Sequence, residues 1–342
     1  MRKIMTVLLS ALLCASMAIP FASCHQAADT PTAIEQGETK EAKLLYLEIA
    51  KQPDKTVYAP GERFDAKGLE VTAVYDDGTI EENVPFTVTS STLQYYSKGA
   101  TITYKNKVLT IPVQINLEGN REEYNVKNME QIENSPLAGK TYYFLGSSVT
   151  YGEGAEGQSM ADFLAKKHGC TAIKNAVSGT TLMVYGKDSY VTRLNEDLES
   201  GKIPEKLDGF ICQLSTNDKS KKDKFGEVTA DDVRSPSAFD TATTFGAIEY
   251  IVATIQNQYD CPVIFYTNSY FKDANYPKMI EGLDAIQKKY GIEVLDLYRD
   301  EAFNDISKED YVRYMRDDIH PMKLGYRDWW LPAFEKILID LL

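Results

Sequence analysis

The chain has 342 residues, of which 43% are hydrophobic and 25% charged, as in an ordinary soluble globular protein of two domains or one large one. Its formal net charge of -13 argues against binding to nucleic-acid phosphates, which requires clustered Lys and Arg. The lysine-rich run at residues 219–224 is therefore predicted to be a solvated loop.

The spacing of the five cysteines does not indicate a disulfide framework. Cys14 and Cys24 lie in the N-terminal leader, and Cys170, Cys212 and Cys261 are widely separated, with no Cys-x-x-Cys pair. This spacing argues against a zinc or iron–sulfur site, and we expect no metal and no cofactor.

The N-terminus has the pattern of an export signal. A basic start precedes an apolar stretch at residues 4–21 that is too short for a good membrane-spanning helix. The stretch ends in Phe-Ala-Ser before Cys24, which resembles the lipobox of bacterial lipoproteins, although Phe21 stands where an aliphatic residue is usual. We predict a signal peptide over residues 1–24 with lipidation at Cys24, and ordinary cleavage after a small-x-small site stays open. A flexible tether follows over residues 25–43, so the protein is expected at the bacterial surface or in the periplasm, or else secreted.

Residues 44–118 show short alternating runs separated by turn signals. Residues 69–75 alternate apolar and polar side chains and then meet Asp76-Asp77-Gly78, a strong hairpin signal. No helical period interrupts this stretch, which predicts a small antiparallel β-sandwich.

This stretch resembles the bacterial immunoglobulin-like (Ig-like) domains of surface proteins. Four short motifs carry the resemblance: KQP at residues 51–53, YAPGE at 58–62, GLEV at 68–71 and YDDG at 75–78. The resemblance implies adhesion or glycan binding, but we favour a spacer that holds the next domain away from the membrane, because a fold alone does not define a function.

After a polar linker at residues 119–139, strands and helices alternate. Strand-like apolar runs are predicted at residues 142–145, 171–173, 210–214, 263–267 and 293–297. Helices are predicted between or after them, at residues 159–168, 239–258, 277–290 and 325–342, the last interrupted by Pro332. This alternation predicts an α/β domain over residues 140–342, with a mostly parallel sheet covered by helices on both faces.

The first of these strands is followed by Gly146-Ser147-Ser148, at the sheet edge where ligands bind in α/β folds. A G-x-G-x-x-G match at residues 152–157 also follows this strand. It starts six residues too late for a dinucleotide loop and lacks the acidic residue expected about twenty positions on, so we do not predict a nucleotide site.

A serine nucleophile needs a base, and the chain has three histidines. His25 lies in the predicted tether, and His168 ends a predicted helix, where an imidazole commonly lies near the last carbonyls. His320 remains, and Asp317 precedes it by one local turn, so its carboxylate can orient the imidazole. Aspartates before a proline also form ordinary turns, so this motif alone does not distinguish a catalytic pair from a turn.

Two further stretches follow the second and third predicted strands. Gly179 can bring its backbone N–H close to a ligand, and Asn217 can offer a side-chain N–H. With the N–H of Ser148 they would provide three donors for a tetrahedral oxyanion, although each could also form a simple tight turn.

Taken in chain order, the stretches that contain Ser148, Gly179, Asn217 and His320 resemble the conserved motifs of the SGNH (GDSL-type) hydrolase family. The resemblance covers about residues 140–342. The resemblance implies a flavodoxin-like three-layer α/β/α sandwich and ester hydrolysis without a cofactor. It assigns Ser148 as the nucleophile, His320 and Asp317 as base and orienting acid, and Ser148, Gly179 and Asn217 as the oxyanion hole. Ser147 stands where the family has Asp, which leaves open which serine attacks, and Ser215 stands where it has Gly.

The expected function is an exported esterase that removes acyl groups, in particular acetyl groups, from a glycan. Its partners would be a small-molecule or glycan ester, with no nucleic acid and with a membrane only through Cys24. A lipid or short-chain acyl esterase and a non-catalytic glycan-binding lipoprotein are the alternatives. Trp329 and Trp330 follow the His320 segment and are predicted to belong to the core rather than to a sugar site.

Overall fold

The structure, a computed structural model, describes residues 41–342. The predicted signal peptide, Cys24, His25 and nearly all of the predicted tether lie outside the described residues.

The first part of the described chain is a β-sandwich. Its strands are β1 (Leu44–Lys51), β2 (Val57–Tyr58), β3 (Glu70–Tyr75), β4 (Ile80–Glu81), β5 (Thr87–Ser90), β6 (Gly99–Tyr104), β7 (Lys107–Pro112) and β8 (Gln114–Ile115). One antiparallel sheet has the order β1-β3-β4, a second has the order β5-β6-β7, and β2 pairs with β8. Alternate side chains are buried, for example Val71 and Ala73 on β3 and Ala100 and Ile102 on β6. The predicted Ig-like sandwich is confirmed.

The segment between the two folded parts is held against the second one. It contains three short 3₁₀ helices, Glu118–Asn120, Glu122–Tyr124 and Val126–Asn128. The Asn120 side chain donates to the Gly154 carbonyl (2.8 Å) and accepts from the Lys323 N–H (3.0 Å). The predicted polar linker therefore makes specific hydrogen bonds, and Lys43–Leu342 forms one compact unit.

The second part is built on a five-stranded sheet. Its strands are β9 (Thr141–Gly146), β10 (Thr171–Ala176), β11 (Gly209–Gln213), β12 (Val263–Tyr266) and β13 (Glu293–Leu295). All are parallel, in the order β10-β9-β11-β12-β13. β9 is central to the site because its two neighbours, β10 and β11, end at the same edge.

Helices cover both faces of this sheet. They are α1 (Ser148–Tyr151), α2 (Met160–His168), α3 (Tyr190–Glu199), α4 (Thr244–Gln258), α5 (Tyr276–Tyr290), α6 (Glu301–Asn304), α7 (Lys308–Tyr314), α8 (Lys323–Gly325) and α9 (Leu331–Asp340). Tyr143 and Leu145 pack with α3, α4 and α5, whereas Tyr142 and Phe144 pack with α2 and α9 on the other face. The predicted three-layer α/β/α sandwich is confirmed.

No helix in the described part of the chain is both long and apolar enough to span a bilayer.

The short helices α1, α6, α7 and α8 were not predicted, and three longer helices also differ from the sequence-based expectation. Helix α3 was not predicted, because Arg193 and Asp197 occupy its buried side and interrupt the apolar period. Helix α4 begins at Thr244 rather than at 239, since the Thr243 hydroxyl caps it by accepting the Gly246 N–H. The last predicted helix is divided: a π-helical turn, Tyr326–Trp330, precedes α9, and Pro332 lies in the first turn of α9, where its missing N–H is not needed.

Candidate active site

Ser148 is the first residue of α1, and only Ser147 separates it from the end of β9. Its side chain is largely enclosed, and its Oγ lies 2.8 Å from His320 Nε2. Gly152 ends this short helix in the left-handed region (φ 90°), which a glycine adopts without a steric penalty. The strand end and the tight helix start thus fix the Ser148 hydroxyl at the carboxyl edge of the sheet.

His320 lies in a closed loop between α7 and α8. The Arg316 N–H donates to the His320 carbonyl (2.9 Å), and Met315 pairs with Pro321 across the loop. Asp317 Oδ1 accepts from the backbone N–H of His320 (2.9 Å) and lies 2.8 Å from His320 Nδ1. An ionised carboxylate only accepts hydrogen bonds, so Nδ1 carries the ring proton and Nε2 is left to accept from Ser148.

The pKa of Asp317 is lowered to about 2. Burial by itself raises this pKa, but the hydrogen bond and charge of His320, together with the N–H groups of Ile319 and His320, outweigh burial. Asp317 is therefore a carboxylate at any pH at which an imidazole can be neutral.

Ser147 and Ser148 differ clearly in their surroundings. The Ser147 side chain is fully buried, and its Oγ is 3.4 Å from Gln213 Oε1. Within the described residues, the hydrogen bond of His320 Nε2 is to Ser148 Oγ and not to Ser147. The geometry therefore favours Ser148 as the attacking residue.

Gln213, at the end of β11, anchors the turn that carries Ser148. Its Oε1 accepts from the Ser147 N–H (2.9 Å) and from Thr150 Oγ1 (2.9 Å), and Thr150 Oγ1 also meets the Tyr266 hydroxyl at 2.6 Å. Gly146 is required here, since a Cβ at that position would lie 1.6 Å from Thr150 Oγ1. Neither Gln213 nor Thr150 was predicted as a site residue, although they lie in the strand-end stretches that carry Asn217 and Ser148.

Gly179 and Asn217 follow the strands on either side of β9, and both line one cleft of about 340 Å³. Gly179 has a positive φ of 79°, and the space next to its Cα is open. One N–H of the Asn217 amide donates to the Thr180 carbonyl (2.8 Å), which leaves its other N–H for a ligand. The Ser148 N–H is at the first helical position, where an α-helix offers no acceptor.

Two buried residues with ionisable side chains connect these strand ends, and neither was predicted to have a role there. Arg193 of α3 donates to the carbonyls of Gly146 (2.7 Å) and Asn175 (2.8 Å), and burial lowers its pKa. Asp218 accepts from the Leu182 N–H (2.9 Å), and burial raises its pKa. Only the tertiary structure identifies these roles, because neither residue belongs to a local motif.

The glycine-rich stretch at residues 152–157 has a structural role. Gly154 packs against the His320 loop, where a Cβ would lie 2.3 Å from the Pro321 carbonyl oxygen. Gly157 has a φ of 80°, which favours glycine. These glycines are explained by close approach and backbone conformation.

The remaining residues singled out in the sequence belong to the interior. His168 is buried, and its ring nitrogens contact Ser135 Oγ (2.6 Å) and Glu335 Oε1 (2.8 Å), rather than the carbonyls that end α2. Trp329 and Trp330 are buried in the core, as expected. Within residues 41–342, no group of three or more His, Cys, Asp and Glu side chains is arranged to hold a metal ion.

The chain belongs to the GDSL-like Lipase/Acylhydrolase family, which matches residues 144–327. Residues 51–127 match the bacterial Ig-like domain (group 3). Both predicted resemblances are confirmed, and so is the prediction that the protein is an ester hydrolase.

Solved structures of similar fold include a protein from Lactobacillus plantarum, which is 19% identical with a TM-score of 0.50 over 60% of this chain and 99% of that one. The aryl esterase of M. smegmatis is 16% identical, with a TM-score of 0.41 over 59% of this chain and 100% of that one. An acetyl-xylooligosaccharide esterase from Geobacillus is 13% identical, with a TM-score of 0.41 over 59% and 94%. At these identities the likeness concerns the fold alone.

A curated protein, pectate lyase L of Thermoclostridium stercorarium, is 46% identical over 52 residues. The match spans 15% of this chain and 4% of the length of the lyase.

Proposed function

We propose that this family member is an exported serine esterase that works through Ser148, His320 and Asp317 and removes acetyl groups from a glycan. The observation that carries the proposal is the continuous hydrogen-bond chain of two 2.8 Å contacts, from Asp317 Oδ1 to His320 Nδ1 and from His320 Nε2 to Ser148 Oγ. This is the arrangement that a serine needs in order to become a nucleophile.

In the proposed reaction, Ser148 Oγ attacks the ester carbonyl while His320 Nε2 takes the hydroxyl proton. The tetrahedral oxyanion is bound by the N–H groups of Ser148 and Gly179 and by the Asn217 amide. His320 then protonates the leaving alcohol, and a water molecule deprotonated by His320 hydrolyses the acyl-enzyme. Asp317 stays ionised throughout, because its pKa is about 2, and stabilises the imidazolium.

The proposal of a glycan substrate rests on location and on the companion domain. The predicted export signal and the predicted lipidation site Cys24 lie outside the described residues, and they support a surface location where polysaccharide is available. An Ig-like domain in the same compact unit suits a protein that works on extended polymers. A lipid ester is the competing substrate, and the experiment below distinguishes it from a glycan ester.

Ser148→Ala is the central test, with Ser147→Ala as its matched control. We expect Ser148→Ala to abolish hydrolysis of a chromogenic short acyl ester and labelling by a fluorophosphonate probe, with an unchanged melting temperature. Ser147→Ala should retain most activity. Full activity of Ser148→Ala would refute the mechanism, and turnover of phospholipids but not of acetylated sugars would refute the glycan assignment.

A further inference from the structure

A basic side chain stands in the cleft beside the proposed oxyanion site. The cleft that contains Gly179 and Asn217 is lined by Tyr185 and by Lys219 and Lys221 of the lysine-rich run. Residues Asp218–Lys224 form two 3₁₀ turns joined by a kink at Lys221, whose φ of -112° and ψ of 41° are not helical. Because Lys219 and Lys221 line the cleft, part of this run faces the site rather than being only a solvated loop.

The two cleft lysines differ in their partners. Lys219 Nζ is paired with Asp273 Oδ2 at 3.0 Å, so its charge is compensated. Lys221 makes no salt bridge within residues 41–342, and its Nζ lies 4.3 Å from the centre of the Tyr185 ring. An aromatic ring steers a cation without neutralising it, so Lys221 offers a full positive charge to whatever enters the cleft.

We propose that Lys221 determines specificity for esters that carry a carboxylate near the scissile bond, such as acetylated uronic acid residues. This inference rests on the proposed function and names its substrate class. In a chain with a net charge of -13, an anionic polymer is repelled by most of the surface, so an uncompensated cation beside the site decides whether it can bind there.

The test compares two esters that differ in charge: acetylated galacturonic acid and acetylated galactose. Acetate release gives kcat/KM for wild type, Lys221→Gln and Lys222→Gln, the last being an exposed neighbour that does not line the cleft. We expect wild type to prefer the uronate, and Lys221→Gln to lose about fivefold on the uronate while staying within twofold on the neutral sugar. Lys222→Gln should match wild type, and salt should weaken the preference.

Two outcomes overturn the inference alone: equal wild-type efficiency on both sugars, or equal losses on both sugars in Lys221→Gln. Failure of wild type to hydrolyse either sugar, or hydrolysis by Ser148→Ala, would overturn the proposed function instead.

A second observation, independent of the first, links the Ig-like domain to the site. Tyr95, between β5 and β6, lies with its ring centre 3.9 Å from the Arg316 guanidinium carbon. Arg316 is buried, its Nε contacts Asp317 Oδ2 at 3.4 Å, and it donates to the Glu153 carbonyl. An interdomain cavity of about 210 Å³, lined by residues of both domains, includes Asp317.

We infer that Tyr95 is a positioning residue that acts through Arg316 on Asp317. The ring fixes the guanidinium, whose Nε contacts Asp317 Oδ2, and both carboxylate oxygens of Asp317 lie within 3.0 Å of His320 Nδ1. Without Tyr95, the guanidinium can turn towards water, and Asp317 Oδ2 loses its contact with Arg316 Nε. The Ig-like domain is then part of the catalytic apparatus rather than only a spacer.

Tyr95→Ala, Tyr95→Phe and the control Tyr46→Ala, an exposed tyrosine of β1, test this inference on a small aryl ester. We expect Tyr95→Ala to lower kcat about two- to fivefold with KM unchanged, and Tyr95→Phe and Tyr46→Ala to retain kcat. In an Arg316→Ala background, Tyr95→Ala should have no further effect. An unchanged kcat in Tyr95→Ala, an equal loss in Tyr95→Phe, or additive losses in the double variant would overturn it.

Discussion

Gly154 packs so closely against His320 that a methyl group at position 154 would lie 2.9 Å from the His320 carbonyl oxygen and 3.0 Å from its Cβ. The loop after α1 and the loop that carries His320 therefore fit together only through a residue without a side chain. Ser148 begins α1, and Gly154 follows the end of α1. The contact therefore sets the position of the His320 imidazole relative to Ser148.

Gly154→Ala should lower kcat on a chromogenic ester by about tenfold or more, because displacement of reacting groups by a fraction of an ångström is costly in catalysis. Gly201→Ala is a useful control for stability, since Gly201 has open space but a positive φ of 69°. Wild-type kcat in Gly154→Ala would show that the His320 loop can move without affecting the reaction.

Asp317 should make unfolding depend on pH in the acid range. Its pKa is about 2 in the folded protein, against 3.8 ordinarily, so its ionised form stabilises the fold above about pH 4 and this contribution is lost as the pH falls through 2. Between pH 5 and pH 2, wild type should lose about 2 kcal/mol more of its free energy of unfolding than Asp317→Asn. Urea titrations at several pH values measure this difference, and parallel curves would contradict the assigned pKa.

Asn217→Ala should lower kcat by about 10²–10³ with little change in KM, because its amide is proposed to bind the oxyanion rather than the ground-state ester. The Asn217 amide also holds the Thr180 carbonyl, so Thr180→Ala, which keeps that carbonyl, serves as a control for loop integrity. A rise in KM at constant kcat would assign Asn217 to substrate binding.

Lys289 and Glu249 form a buried ion pair away from the site. Their Nζ and Oε1 atoms are 2.7 Å apart, and the side chains are 2% and 0% exposed. Lys289→Met should cost about 3–5 kcal/mol of unfolding free energy, because it leaves a buried carboxylate uncompensated. The double variant with Glu249→Leu should recover most of this loss, and kcat should be unchanged in both. Equal stability of Lys289→Met and wild type would show that water reaches Glu249.

The sequence by itself determined the layer architecture and nominated the candidate site residues. Uninterrupted apolar runs become buried strands in any α/β fold, and the residues that follow such strands converge on one edge of the sheet. Ser148, Gly179 and Asn217 could therefore be placed from local pattern, and Asp317 could be paired with His320 because the two are neighbours in the chain.

Only the tertiary structure decided which groups support this edge. Gln213, Arg193 and Asp218 are polar residues that the sequence pattern treats as exposed or as interruptions, and each is buried because its partners come from distant elements. The contact of Tyr95 with Arg316 joins two domains, and the orientation of Lys221 depends on a ring 36 residues earlier in the chain. Pairings of this kind follow no sequence period and no fixed spacing, so a sequence pattern does not predict them. They contribute to stability only after folding has brought the two partners together.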